Sequence, residues 1–207
     1  MQPVRPPEPC GEAQDRIYCY PGSNTLINRL NERDNARFEH LERSLSAARI
    51  AELVLKPLPG ELTPAYLCAL HRHIFQDLFS WAGEFRSVDI SKGYFFCRPA
   101  YIGTQLRRLL GDLAAEDCLR KLPGARLPQR LAYYFGELNA IHPFRDGNGR
   151  TQREFFRELL RRRGLEICFA NVPPALMLSA SIASFKGDLL PLTGLFEACL
   201  APPHPLP

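Results

Sequence analysis

Ile141-His142-Pro143-Phe144-Arg145-Asp146-Gly147-Asn148-Gly149-Arg150-Thr151-Gln152-Arg153 is the stretch on which the reading of this chain turns. Gly147 and Gly149 let backbone amides converge where side chains would otherwise intrude. The helical pattern that opens at Gly149 aims its unpaired N–H groups and the positive end of its dipole at the same point, which makes a nest for an anion. Asp146 stands at the edge of that nest, where one carboxylate with phosphate oxygens and water suits a hard cation such as Mg²⁺. Arg150 and Arg153, three residues apart, share a helix face and can clamp phosphate charge. His142 precedes the nest and titrates near neutral pH when unperturbed, so it can take a proton from an incoming hydroxyl. Pro143 fixes the turn, and Phe144 reads as a core anchor.

A lone glycine turn or a lone histidine means little. Base, anchor, carboxylate, glycines and two arginines in order, within the twelve residues from His142 to Arg153, make a site. The pattern is neither the GxxxxGK[ST] phosphate loop nor a dinucleotide GxGxxG, because Leu127 to Ile141 before it reads as a helix and not a strand.

Working outward, helical periodicity covers Ala100 to Cys118 and Leu127 to Ile141, parted by the breaker Leu122-Pro123-Gly124. The motif helix, Gly149 to Arg163, stops at Gly164, a left-handed cap. Segments Pro173 to Phe185 and Leu189 to Leu200 complete a bundle. Toward the N-terminus, Thr63-Pro64 starts the helix TPAYLCALHRHIFQDLF, which ends before Trp81. Asn24 to Leu55, with Leu26, Leu30, Phe38, Leu41 and Leu45 near helical spacing, reads as one or two helices. Residues 84–98, EFRSVDISKGYFFCR, change character: apolar positions bracket Lys92-Gly93 as a two-strand hairpin, the one good β candidate. The sequence therefore predicts an all-α fold, a helical bundle with a small β-hairpin flap. A single domain is expected over 17–200, between flexible Pro-rich tails at 1–16 and 201–207.

The 207 residues, 45% hydrophobic and 23% charged, are enough for one sizeable core. Seven scattered cysteines (10, 19, 68, 97, 118, 168 and 199) form no CxxC pair. They read as reduced thiols, most of them small buried apolar residues. No charged segment followed by an apolar run and no stretch of eighteen apolar residues occurs, so neither a signal peptide nor a membrane span is expected, and the location predicted is cytoplasmic. A net charge of +4 favours phosphate-bearing ligands. Arg157 and Arg161 to Arg163 lack interleaved aromatics, so direct nucleic-acid binding is not expected. His71 and His73 point to different faces of one helix and read as packing or surface residues.

The run His142 to Arg153 resembles, at every specified position, the signature of Fic-domain proteins, HPFx[D/E]GNGRxxR. IFQDLFSWAGEFRSVDISKG (74–93) and FCRPAYI (96–102) look like that family's helix and target-docking flap. YPGSNTLINRLNERD (20–34) is similar to the N-terminal part of short bacterial Fic toxins, so the likeness covers most of residues 18–200.

The resemblance implies a Fic-fold helical bundle and transfer of AMP from Mg-ATP to a Ser, Thr or Tyr hydroxyl of a protein. It implies His142 as the base, Pro143 and Phe144 as structural anchors and Asp146 as the Mg²⁺ ligand. By the same likeness Gly147, Asn148 and Gly149 cradle the α and β phosphates, Arg150 contacts the phosphate chain and Arg153 engages the γ-phosphate. Ile90, Ser91, Lys92, Gly93 and Tyr94 would register a target strand. Doc-type relatives, which phosphorylate, carry Lys where this chain has Gly149, so AMP transfer is favoured over phosphate transfer. Transfer of UMP and a non-catalytic partner-binding module stay open as alternatives.

Many relatives also carry an inhibitory helix, [S/T]xxxE[G/N]. The nearest match here, Thr193 to Glu197-Ala198, departs at its last position and reads as chance. The likeness thus implies the toxin of a two-protein pair, a small antitoxin supplying that helix, and as targets the B subunit of DNA gyrase and its topoisomerase IV equivalent.

Overall fold

Prolines and side-chain caps decide where the helices start. The computed structural model describes residues 17–169 and 172–201. Its elements are α1 (Asn35–Leu55), α2 (Pro64–Phe75), α3 (Pro99–Ala115), α4 (Leu127–Ile141), α5 (Asn148–Arg161), β1 (Glu166–Ile167), α6 (Pro174–Phe185), α7 (Leu190–Cys199) and β2 (Leu200–Ala201). Five of these helices, α2, α3, α4, α6 and α7, carry Pro at the first or second position, where the missing N–H costs no hydrogen bond. The Asp34 carboxylate caps α1 by accepting from the Arg37 amide at 2.9 Å, and the Thr63 hydroxyl caps α2 by accepting from the Tyr66 amide at 3.3 Å. Most of the Pro-rich tails expected from sequence, 1–16 and 202–207, lie outside the described residues.

α4 is the central helix. Leu131 and Ala132 are fully buried on it, and it packs against α3, α5, α6 and α7, while α2 bridges α1 and α5. The rings of Phe135, Phe156 and Phe196 meet where α4, α5 and α7 converge. Each fully buried ring of this kind contributes roughly 1.5–3 kcal/mol. This packing fixes the end of α4 and the start of α5, and the loop between those two ends is His142 to Gly147.

Three expectations need correction. Residues 24–34 are not helical, because polar side chains organise them as a turn: Thr25 donates to the Arg33 carbonyl (3.1 Å) and Asn28 to the carbonyls of Leu26 (2.9 Å) and Glu32 (2.7 Å). The flap is a turn and not a strand ladder; a single Ser91–Phe95 bridge closes it, with Gly93 at φ +80°. The regular β pairing is β1 with β2, antiparallel, Ile167 opposite Leu200, a pair too short to read from sequence. Of the cysteines, Cys19 and Cys199 are buried, Cys168 is exposed and the others described are half-buried. Among the described residues no helix is long and apolar enough to cross a membrane.

Candidate active site

The last residue of the α4 cap is His142 itself, in the left-handed region at φ +47°, ψ +64°. A non-glycine residue there carries strain of order 1 kcal/mol that the surroundings must hold in place. They do so from the other end of the loop. The Asn148 side chain accepts from the Phe144 amide (2.8 Å) and donates to the Phe144 carbonyl (2.7 Å), closing residues 144–148 into a ring. Phe144, 1% exposed, is the buried anchor that the sequence suggested. Gly147 caps α5 at φ +76° and lies against the Phe75 ring. Gly147, as the N-cap, has no side chain to cap the start of α5, which leaves the first amides of the helix facing the loop as an anion nest.

His142 Nδ1 lies 3.1 Å from the Asn139 carbonyl. A carbonyl only accepts, so Nδ1 carries the proton and Nε2 is left as the basic nitrogen. Phe96 of the flap stacks on the imidazole at 3.9 Å between centroids and 13° between planes. Burial, followed by the nearby Lys92 charge, pulls the His142 pKa down to about 4, and the ring is neutral at physiological pH.

The cavity in front of it is about 870 Å³. Its polar wall holds His142, Asp146, Gly147, Asn148, Gly149, Arg150 and Arg153; its apolar wall comes from α6 and the flap. Of the expected flap residues, Ile90, Ser91, Lys92 and Tyr94 line it, and Gly93 forms the turn. Arg150 is tied down: it pairs with Glu42, donates to Ser46 (3.1 Å) and Asp146 (3.4 Å), and lies 4.7 Å over the Phe75 ring. Arg153 differs. Among the described residues no carboxylate lies at ion-pair distance from it, and burial together with Arg150 lowers its pKa from the usual arginine value. A half-buried guanidinium without a partner is stabilised by an incoming anion. The Asp146 carboxylate, 45% exposed beside the nest, fits a Mg²⁺ ion that would take its other ligands from phosphates and water.

The chain is similar to known proteins over a span that includes this loop. The family model described as Fic/DOC family matches residues 61–160. A Sinorhizobium fredii protein named "Probable protein adenylyltransferase y4lH" is 41% identical over 84% of this chain and 90% of its own length. The chain belongs to the Fic/DOC family. An Escherichia coli protein named "Probable protein adenylyltransferase Fic" is 38% identical over 90% of this chain and 92% of its own, and this chain is a protein adenylyltransferase of the same family. A crystal structure of the BepC protein of Bartonella tribocorum with bound AMPPNP superposes with a TM-score of 0.85 at 26% identity, covering 92% of this chain and 99% of the other.

Glu42 and Arg86, which support the Fic loop, escaped the sequence reading, and His71, read there as a packing or surface residue, is a buried support of the same loop. His71, 0% exposed, accepts from the Gly83 amide at Nδ1 (2.8 Å) and donates from Nε2 to the Asp146 carbonyl (3.0 Å). It also stacks on Phe144 at 3.9 Å. Its spacing from Leu67, Leu70 and Ile74, which are buried on the same face of α2, is the one signal of its environment, and nothing in the sequence signalled its partners. Thr193 and Glu197 are not among the described residues lining the cavity.

Burial also pulls His71 down to about 4. Both histidines are therefore depressed from about 6.5, so their neutral forms contribute stability that is fully present above pH 6.5 and is lost as pH falls toward 4. Thermal unfolding between pH 7 and 4 is expected to show a falling Tm, and His71→Gln a shallower fall. An equal slope in the variant would exclude His71 as a source.

Proposed function

We propose that this Fic enzyme moves AMP from Mg-ATP to a hydroxyl of a protein with His142 as general base, and that it is the toxin of a two-protein pair. The observation that carries this reading is a neutral His142, with Nε2 as its basic nitrogen, across one cavity from the amides at the start of α5 and from Arg153, which has no carboxylate at ion-pair distance among the described residues.

The reaction follows from that arrangement. Nε2 accepts the proton of the target hydroxyl, the oxygen attacks the α-phosphorus, and pyrophosphate leaves. Amides at the start of α5 hold the phosphates, and Arg153 takes the charge at the far end of the chain. Asp146 would hold Mg²⁺, which when bound offsets charge on the phosphate oxygens. The exposed flap, residues 91–95, offers backbone for a target strand. Gly149 leaves open space beside the nest, with only the end of the Arg153 side chain in reach, which supports AMP over phosphate transfer.

The likeness to short bacterial Fic toxins supports a small antitoxin carrying [S/T]xxxE[G/N], a cytoplasmic site of action, and DNA gyrase B and the topoisomerase IV subunit as targets. Incubation of those purified subunits with Mg-ATP labelled on the α or the γ phosphate tests this. Label is expected from α-labelled ATP alone. Label from γ-labelled ATP would mean phosphate transfer, and no label in either subunit would remove the topoisomerase assignment.

A further inference from the structure

Arg86 is 2% exposed, and among the described residues no carboxylate lies at ion-pair distance from it. Its guanidinium is spent on carbonyls instead. Nε donates to His142 (2.9 Å), Nη1 to Val88 (2.7 Å), and Nη2 to Ile141 (3.3 Å) and Cys97. The Arg86 amide donates to the Pro143 carbonyl (2.9 Å), and the Cys97 amide to the Ala140 carbonyl (3.1 Å). Val88 and Cys97 are the two feet of the flap, while Ile141 and His142 are the end of α4.

We infer that Arg86 is a positioning residue that locks both feet of the flap to the backbone of His142, holding the docked hydroxyl and the base in one frame. The inference rests on the AMP-transfer reading of the same site. Its physical basis is threefold. Carbonyls at a helix C-terminus carry negative partial charge, so an arginine buried there is stabilised without a carboxylate. The fork is rigid and planar, so four acceptors fix relative orientation as well as distance, which the single ammonium of lysine cannot do. His142 sits in a strained left-handed conformation that relaxes unless its carbonyl is held. Arg86 also adds to the charge that keeps the imidazole neutral.

The test compares full-length wild type, Arg86→Lys and Arg86→Met. Mg-ATP affinity by calorimetry is expected to stay within about twofold, because Arg86 touches none of the nest. Transfer kcat is expected to fall roughly 100-fold, the usual effect of misplacing a reacting group by an ångström, with KM for the protein target rising. Lysine is expected to recover less than about a tenth of that loss. Histidine NMR without nucleotide supplies a second readout: in Arg86→Met the His142 titration moves up from about 4 toward 6.5 and its Nδ1–H tautomer loses dominance.

Unchanged kcat and target KM would overturn the inference. So would a kcat loss matched by an equal loss of Mg-ATP affinity, which marks general packing, or failure of both variants to fold. If Arg86→Met alone fails to fold, Arg86→Lys decides. If wild type transfers no AMP, the functional reading falls, and the His142 titration still decides the role of Arg86.

Discussion

Replacing His142 by Ala is expected to lower AMP transfer by roughly 10²–10⁴-fold, the usual contribution of a positioned general base. Mg-ATP affinity should be retained, because the anion nest is built from α5 and Arg153 and not from the imidazole. Stability should change little: the side chain gives up one hydrogen bond, to Asn139 (3.1 Å), and the stack with Phe96. The pH profile adds a sharper requirement. A base held near 4 is unprotonated throughout the neutral range, so the acid limb of kcat/KM belongs near pH 4–5, with a plateau from pH 6 to 8. An acid limb at 6.5, the value of a solvated histidine, would show that the base is some other group or that the ring is not desolvated in the working enzyme.

The largest expected effect on stability comes from Gly147→Ala. The new Cβ would fall 2.3 and 2.4 Å from two carbons of the buried Phe75 ring, at a backbone φ of +76°. The left-handed conformation costs a non-glycine residue about 1–2 kcal/mol, and forcing the ring aside about 1–3 kcal/mol. The combined loss of roughly 2–5 kcal/mol lowers Tm by something on the order of 10 °C in a chain of this length. Gly149→Ala is the contrast: its Cβ meets only Arg153 Nη1, at 3.4 Å, and alanine favours the helix, so the fold should be as stable as wild type or more so. Equal Tm values for the two variants in thermal unfolding would mean that Phe75 yields without cost.

Much of this was legible because it is local. Thr63-Pro64, Leu122-Pro123-Gly124 and Gly164 mark helix ends by chemistry that needs no tertiary partner, and helices begin or end within a few residues of them. The catalytic loop was legible for the same reason: base, carboxylate, glycines and arginines are contiguous, so their order alone carries the chemistry. Leu26 and Leu30 misled, since their spacing fits a helix while Asn28 and Thr25 satisfy the backbone in another way. Arg86, His71 and Glu42 were hidden because each acts across the fold, on carbonyls or side chains 56, 75 and 108 positions away in sequence. Arg150 shows the limit from the other side. Its place in the motif pointed to phosphate, and it lines the cavity, while the tie of its guanidinium to Glu42 and Ser46 of α1 could not be read from the motif.

The most direct measurement is the intact mass of a protein target after incubation with Mg-ATP and either wild type or His142→Ala. The expected result is a gain of one AMP per modified hydroxyl with wild type and none with the variant. A gain of the same size with His142→Ala, or a gain of one phosphate with wild type, would contradict a base-catalysed AMP transfer at this site.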